Sequence, residues 1–487
     1  MKPMGTTQSE PQALPLYQQL ADELANAIRL GSLPPGSRLP SIRQSAQNRQ
    51  LSLNTVMAAY RMLENQGLIE ARPQSGYYVR STLPSLLREP HASGHNAQRT
   101  KNTVRDLISA VLDAQADARY VDLSLACPKD SGFYPAARLT RILSSQLRRQ
   151  PSLAGNYALP PGSLRLRRQI AQRAITLGMT LDPADITLTH GCMEALQLAL
   201  RTVAKPGDTV GIESPTYFNL LPLLDSLGLK TLEIPTDPQT GLSLDVLELL
   251  LSENRLQAIL AMPNVHNPLG CSMPLAAKQR LAALVNQYQV PLIEDALYAE
   301  LQFGSALSPA VKAFDRNGWV IVCSSFTKTL APDFRIGWID GGRFSHDIRQ
   351  LKFISSIAEP ATLAEAIATF LESGGYDHHL RSLRRRYANQ IETLRGLIAD
   401  TFPSDTCATV PCGGFLIWVE LPQHINSVDL FYAMLSEHIH IAPGSIFSPS
   451  GRYRNALRLS CCYPLDAAHL AAISRVGSCA KEMAFAR

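Results

Sequence analysis

The sequence predicts an α/β chain of two parts: a small N-terminal module of three helices and a hairpin, then a large two-part α/β unit. Three observations carry this. The 487 residues are too many for one hydrophobic core and fit a module of about 80 residues ahead of a much larger unit. Apolar spacing changes along the chain, from a helical i, i+4 stripe near the start to short continuous runs that read as buried parallel strands. Charge is divided as well. The net charge is +5, residues 1–103 carry 11 Lys and Arg against 6 Asp and Glu, and the remainder balances at zero. A basic small module on a neutral large one points to contact with a polyanion.

In the module, residues 15–30 place Leu16, Leu20, Leu24 and Ile28 on one face with Gly31 behind them, an amphipathic helix. After the turn LPPGSRLP, Ser41 caps a second helix to about Asn48. Ser52 caps a third, which runs through Val56, Ala59, Tyr60 and Leu63 to Gly67. Short strands at residues 68–71 and 77–79 flank a turn from Arg72 to Gly76. Three helices and a hairpin are the element order of a winged helix-turn-helix, although a helical bundle with a hairpin also suits a dimerisation cap. Residues 81–103 (STLPSLLREPHASGHNAQRTKNT) are polar with little periodicity and read as a flexible linker. The expected division is 13–81, a DNA-binding module; 82–103, linker; and 104–487, the large unit.

Three apolar runs of the large unit end in polar residues. The run 186–188 leads into Thr189, His190, Gly191, Cys192, Met193 and Glu194, and then an apolar helical face. A strand followed by Gly and a helix start aims free backbone N–H groups and the positive dipole end at an anion. The run 290–293 ends in Glu294, Asp295, Ala296, Leu297 and Tyr298, and in open parallel sheets function sits at such carboxyl ends. The run 319–323 leads into SSFTKTLAPDFRIGW, with Lys328 three residues after Ser325, one after Thr327 and seven before Arg335. A lysine that condenses with an aldehyde beside hydroxyls and a guanidinium suited to a phosphate is the pattern of a pyridoxal 5'-phosphate (PLP) pocket. Asp295 is the carboxylate that keeps the pyridine nitrogen protonated, with helix capping as its other reading. Tyr298, and Asn267 in PNVHNPLG, can donate to the phenolic oxygen.

From about Val104 onward the chain resembles the fold-type I PLP-dependent aminotransferases, with seven motifs in the family's order. GNYALPPGSLRLRRQIA is similar to the glycine-turn region, THGCMEAL to the phosphate turn, ESPTYFN to the loop whose tyrosine stacks on the cofactor ring, and PNVHNPLG to the Asn loop. IEDALY matches the Asp and Tyr pair, SSFTKTLAPDFRIGW the lysine motif, and NALRLS the arginine that grips an amino-acid carboxylate. The resemblance implies a mostly parallel large subdomain with a small α+β C-terminal subdomain. It makes Lys328 the catalytic lysine and Gly191, Cys192, Met193, Ser325, Thr327 and Arg335 the phosphate site. It further implies that Tyr217 stacks on the ring, that Tyr157 reaches the other subunit's cofactor in a homodimer, and that Arg458 holds the effector or substrate carboxylate. Cys192 and Met193 depart from the commonest residues of the turn but keep their backbone N–H groups.

The module, PLYQQLADELANAIRLGSLPPGSRLPSIRQSAQNRQLSLNTVMAAYRMLENQGLIEARPQSGYYV, is similar to the GntR-type winged helix along its whole length. That resemblance puts Arg38 and Arg43 on phosphates or bases, opens the recognition helix with Ser52, Asn54 and Thr55, and lets Gly76 bring the wing to the minor groove. Leu53 stands where related recognition helices often carry Arg, so an apolar contact with a thymine methyl replaces a guanine contact. The pair of resemblances is the arrangement of the MocR family of bacterial transcription regulators.

Two functional classes follow: a regulator that senses an amino compound through PLP and binds promoter DNA, and a working aminotransferase with an ancillary DNA-binding module. No apolar stretch reaches the length of about 18 residues that spans a bilayer, and MKPMGTTQSEPQ lacks a signal-peptide core, so a cytoplasmic location without membrane contact is expected. Nine cysteines without CxxC spacing suggest reduced thiols. No metal site is expected, and His378 and His379 read as a surface pair.

Overall fold

The computed structural model describes residues 15–29, 33–34, 36–65, 68–72, 75–80, 87–90, 104–128, 131–304 and 306–485. Gly31 and Gly67, the expected helix stops, lie outside the described residues, as does the expected linker except for 87–90. The chain forms two compact units, Met1–Leu86 and a larger one made of Leu87–Phe303 and Leu307–Arg487.

In the first unit, helices α1 (Leu16–Arg29), α2 (Ile42–Arg49) and α3 (Leu53–Asn65) precede strands β1 (Ile69–Arg72) and β2 (Gly76–Val79). Ser41 accepts the Gln44 N–H at 3.2 Å and Ser52 accepts the Thr55 N–H at 3.1 Å, so both expected caps form. The core joins Leu20, Leu24 and Ile28 to Val56, Tyr60 and Leu63, with Ile69 and Val79 of the hairpin closing it. Leu16 departs from the expected stripe: it is 59% exposed in the first turn, and Ala21 and Ala25 fill the face instead. The hairpin register pairs Ile69 with Val79 and Arg72 with Gly76, so the first strand lies one residue later than expected and the second starts one residue earlier. Gly76 takes φ +109°, a conformation that L side chains rarely adopt, and so carries the chain out of the turn.

The larger unit contains, in chain order, β3 (Val121–Asp122), β4 (Ile186–His190), β5 (Thr209–Ser214), β6 (Lys230–Asp237), β7 (Gly241–Leu242), β8 (Ala258–Ala261) and β9 (Leu292–Asp295). There follow β10 (Val320–Ser325), β11 (Ile336–Asp340), β12 (Cys407–Ala408), β13 (Leu416–Glu420), β14 (Ile439–His440), β15 (Ala442–Pro443) and β16 (Ala456–Ser460). One eight-stranded sheet has the order β4-β11-β10-β9-β8-β5-β6-β7. Its ladders are parallel from β10 through β9, β8 and β5 to β6, while β11 and β7 run antiparallel to their neighbours. Since β11 opposes both β4 and β10, six strands share one direction and their carboxyl ends share one edge. The inner strands β5, β8 and β10 are buried almost throughout and carry largely apolar runs.

Pairing moves the expected bounds of three strands. β4 extends to His190, β9 starts at Leu292 and ends on Asp295, where its ladder to β10 ends, and β10 runs from Val320 to Ser325 because Ser324 and Ser325 pair with Trp338 and Gly337 of β11. A four-stranded antiparallel sheet, β12-β13-β16-β15, forms the smaller part with helices Gly375–Thr401 and Ala467–Phe485. Residues 87–90 correct the linker reading. Leu87 is buried in the core of the large unit, and the Arg88 carbonyl accepts the N–H of edge residue Ala408 at 3.0 Å.

Candidate functional site

The expected cofactor residues converge because sheet direction places them at one edge. Gly191 follows β4, Tyr217 follows β5, Asn267 follows β8, Asp295 ends β9, Lys328 follows β10, and Arg335 precedes the opposed strand β11. Gly191 opens the helix Gly191–Val203 at φ +71°, and a Cβ there would meet Arg335 Nη2 at 2.5 Å. Only glycine therefore lets the guanidinium lie across the helix start. The same guanidinium stands 3.5 Å from Thr327 Oγ1 and 3.5 Å from the His190 carbonyl, and Ser325 Oγ accepts the Thr327 N–H at 3.3 Å. Two hydroxyls, a guanidinium and the first N–H groups of a helix, including those of Cys192 and Met193, make a cradle for a dianion.

Lys328 is half-buried and forms no hydrogen bond or ion pair among the described residues. Burial holds its ammonium below the usual lysine range, and the Arg458 and Arg335 charges act the same way. A lysine so placed gives up its proton and becomes nucleophilic. The Tyr134 hydroxyl donates to the carbonyl of the preceding residue, Thr327, at 3.3 Å, a contact the sequence did not signal.

Asp295 is buried, and its Oδ1 accepts the Leu297 N–H at 3.0 Å and the Cys192 thiol at 3.5 Å. Burial pushes the carboxyl up to about 6. The folded value exceeds the ordinary carboxylate value of 3.8, so the group favours the fold most below that value and loses this as pH rises through 6. Fully ionised, it costs about 3 kcal/mol, which a pyridinium against it would offset. Added PLP should therefore raise the melting temperature more at about pH 7.5 than at about pH 5. Equal shifts by differential scanning fluorimetry would contradict this.

Arg458, on β16, is 2% exposed. It donates to Asn267 Oδ1 at 3.1 Å and to the Ser124 carbonyl at 2.6 Å, and no carboxylate of the described residues lies within ion-pair distance. Its Nε has no hydrogen-bond partner among the described residues, and its guanidinium stands over the Phe447 ring at 5.1 Å. A buried cation without a counter-anion is costly unless a ligand supplies one. Because Asn267 spends its oxygen on Arg458, its amide nitrogen remains as a donor. Tyr298 is 2% exposed with its hydroxyl unbonded among the described residues, and Tyr217 OH accepts from Asn219 Nδ2 at 2.8 Å.

Tyr157 is 79% exposed. His379 corrects the surface-pair expectation: His378 is exposed, but His379 Nε2 lies 2.7 Å from the Thr329 carbonyl, one residue past Lys328. Behind the same segment the buried Tyr376 hydroxyl joins Thr329 Oγ1 at 2.7 Å to Glu300 at 2.8 Å. These supports come from residues far apart in sequence and carry no local motif. His190, Glu194 and Glu359 group closely enough to hold a metal ion, but Lys352, 1% exposed at its side chain, already places its ammonium on both carboxylates.

In the first unit Arg38, Arg43, Ser52, Asn54 and Gly76 are exposed and Thr55 half-buried. Arg38 and Arg43 form no ion pair among the described residues. Ser52 differs, since its hydroxyl is committed to the cap and to Thr55 Oγ1 at 2.8 Å. Leu53 is 52% exposed at the helix start, and Arg72 stacks 4.5 Å over the Tyr78 ring of the hairpin, a wing cation that the sequence reading passed over.

The family model described as aminotransferase class I and II matches residues 130–473, and that described as bacterial regulatory proteins, gntR family, matches residues 16–79. The chain is 37% identical over 465 residues to a protein of Escherichia coli (strain K12) named uncharacterized HTH-type transcriptional regulator YjiR, with 95% of this chain and 98% of that one covered. It is 27% identical to the aromatic-amino-acid aminotransferase 1 of Thermococcus litoralis, over 82% of this chain and 96% of that one. The crystal structure of LysN, the alpha-aminoadipate aminotransferase of Thermus thermophilus, superposes with a TM-score of 0.71 at 25% identity, covering 80% of this chain and 97% of that one.

Proposed function

Because this chain belongs to the aminotransferase class I and II family and carries a gntR-family module ahead of that unit, we propose that it is a MocR-type transcription regulator that senses an amino compound through PLP. One observation supports this above the others. Two buried or half-buried cations, Lys328 and Arg458, stand without carboxylate partners among the described residues, at the sheet edge where the phosphate cradle opens. An amino acid offers one group for each, an amine and a carboxylate.

Bound PLP supplies an aldehyde that captures primary amines and a ring that accepts electron density. With the cofactor bound, Lys328 would be the residue that holds it at its aldehyde, and the amine of an effector would compete with Lys328 for that place. Asp295 keeps a proton on the ring nitrogen, while the Tyr298 hydroxyl and the Asn267 amide donate to the phenolic oxygen. Tyr217 covers the ring. Gly191, Cys192 and Met193 donate backbone N–H groups to the phosphate, with Ser325, Thr327 and Arg335 closing around it. Arg458 takes the effector carboxylate in a two-pronged pair that only a guanidinium offers. Arg38, Arg43, Asn54 and Thr55 face promoter DNA, and Gly76 carries the wing.

Arg458→Lys tests the effector assignment. A point charge cannot reproduce the fork, so amino-acid binding should weaken by about tenfold or more, the worth of one charge-assisted hydrogen bond, with covalent PLP retained. Unchanged amino-acid affinity by spectral titration would remove Arg458 from the site.

A working aminotransferase is the second reading, favoured by the presence of Lys328, Asp295, Tyr298 and Arg458 together; steady turnover distinguishes the two. Tyr157, exposed on one chain, suits a phenol that crosses to a second subunit's phosphate, so a two-fold homodimer is expected. Sedimentation at micromolar concentration with PLP bound should give a dimer, and a monomer would contradict the shared site.

A further inference from the structure

The helix Ala136–Arg149 carries Arg138, Arg141, Arg148 and Arg149 and no acidic residue. Leu139 alone of its side chains is buried. Arg138, Arg141, Ser145 and Arg149, at helical spacing, share one face and line a cleft of about 450 Å³ that Arg165 completes. Arg138 is held in place, donating to Ser373 Oγ at 2.8 Å with its guanidinium 4.9 Å over the Phe370 ring. Arg165 is compensated by Glu372 and by Glu365. Arg141, Arg148 and Arg149 have no carboxylate partner among the described residues; Arg141 only reaches back to the Ala137 carbonyl at 3.4 Å.

Helix chemistry explains part of this charge. Arg148 and Arg149 occupy the last turn, where cations complement the helix dipole. Arg138 and Arg141 lie in the first half, where the dipole disfavours a cation and like charges one turn apart repel. Arg138 recovers part of that cost from Ser373 and Phe370, whereas Arg141 has only its backbone contact, and residues 104–487 as a whole carry no net charge.

We propose that this face of the large unit is a second phosphate-binding surface, which takes the phosphodiester backbone of the DNA held by the N-terminal module. The proposal rests on reading the chain as a DNA-binding regulator. Geometry favours a polymer over a small anion. From Arg138 to Arg149 the cations spread over about 16 Å of helix, at a rise of about 1.5 Å per residue. A duplex presents one phosphate per strand about every 3.4 Å, so the face spans about five of them. Guanidinium forks match phosphate oxygens in pairs, which suits Arg rather than Lys at these positions.

The test uses the full-length PLP-loaded protein with duplex DNA from upstream of its gene and with an unrelated duplex, over a range of salt. Arg141→Gln/Arg149→Gln should lower the slope of log affinity against log salt by about two and weaken binding more than tenfold at about 0.1 M salt, on both duplexes. The PLP absorbance should be unchanged, and Arg141→Lys/Arg149→Lys should keep most of the slope. Arg43→Ala, measured in parallel, separates the two ideas. If it lowers the slope while the double Gln variant binds as wild type, the second surface is overturned and the regulator reading stands. If the wild type itself shows no salt-dependent binding, both fall. Loss of inorganic phosphate binding in the Gln variant with an unchanged DNA slope would assign the cleft to a small anion and overturn the proposal, as would dissociation of the dimer by the Gln pair alone.

Discussion

Lys328→Ala is expected to abolish the covalent, borohydride-reducible attachment of PLP, together with the absorbance near about 420 nm typical of a PLP–lysine adduct. The effect is all-or-none because Lys328 is the amine at the meeting point of the phosphate cradle and Asp295, and burial already holds its ammonium in the direction that nucleophilic attack needs. PLP bound without the covalent link should remain dissociable, held by Arg335, Thr327 and the helix start. Retention of a reducible adduct, located by mass spectrometry on another lysine, would remove Lys328 from its role.

Tyr60→Ala should unfold the N-terminal unit while leaving PLP binding intact. Tyr60 is fully buried, its hydroxyl donates to the Pro40 carbonyl at 2.9 Å, and its ring meets Tyr77 edge-on at 5.1 Å, so one side chain joins α3, the turn before α2 and the hairpin. Truncating such a residue costs about 3 to 5 kcal/mol. A unit of this size has about 3 to 10 kcal/mol in total. DNA binding should therefore collapse, with normal PLP absorbance. Binding within about twofold of wild type would show that the hairpin and helices do not depend on one shared core.

Local chemistry made much of this visible in the sequence. The caps at Ser41 and Ser52, the apolar face of α3 and the glycine before the helix at Gly191 each follow from one residue's conformational or hydrogen-bonding preference, and each forms as read. Strand ends were less legible. β9 stops where its ladder to β10 stops, while β10 runs two residues further on its ladder to β11, a property of paired strands rather than of either sequence. Leu87 looked like linker because its run is polar; one apolar side chain and one edge carbonyl dock it. The supports around Lys328 were invisible for a related reason. Tyr134, His379 and Tyr376, the last backed by Glu300, reach the lysine segment from elements distant in sequence. Arg458 was found by its motif alone, while the fact that argues for a ligand, a buried guanidinium without a carboxylate partner among the described residues, emerges only once the chain is folded.

The central claim is that amine capture at Lys328 and DNA binding by the N-terminal module are coupled. DNA affinity of the full-length PLP-loaded protein, measured by fluorescence anisotropy with and without each of a panel of amino acids, tests it most directly. The account predicts that at least one amino acid shifts affinity by about 5- to 150-fold, a coupling of about 1 to 3 kcal/mol, and that Lys328→Ala and Arg458→Lys each reduce the shift. Unchanged DNA affinity across the panel, with steady transamination at about 1 per second or faster, would contradict the claim and leave an aminotransferase with an attached DNA-binding module.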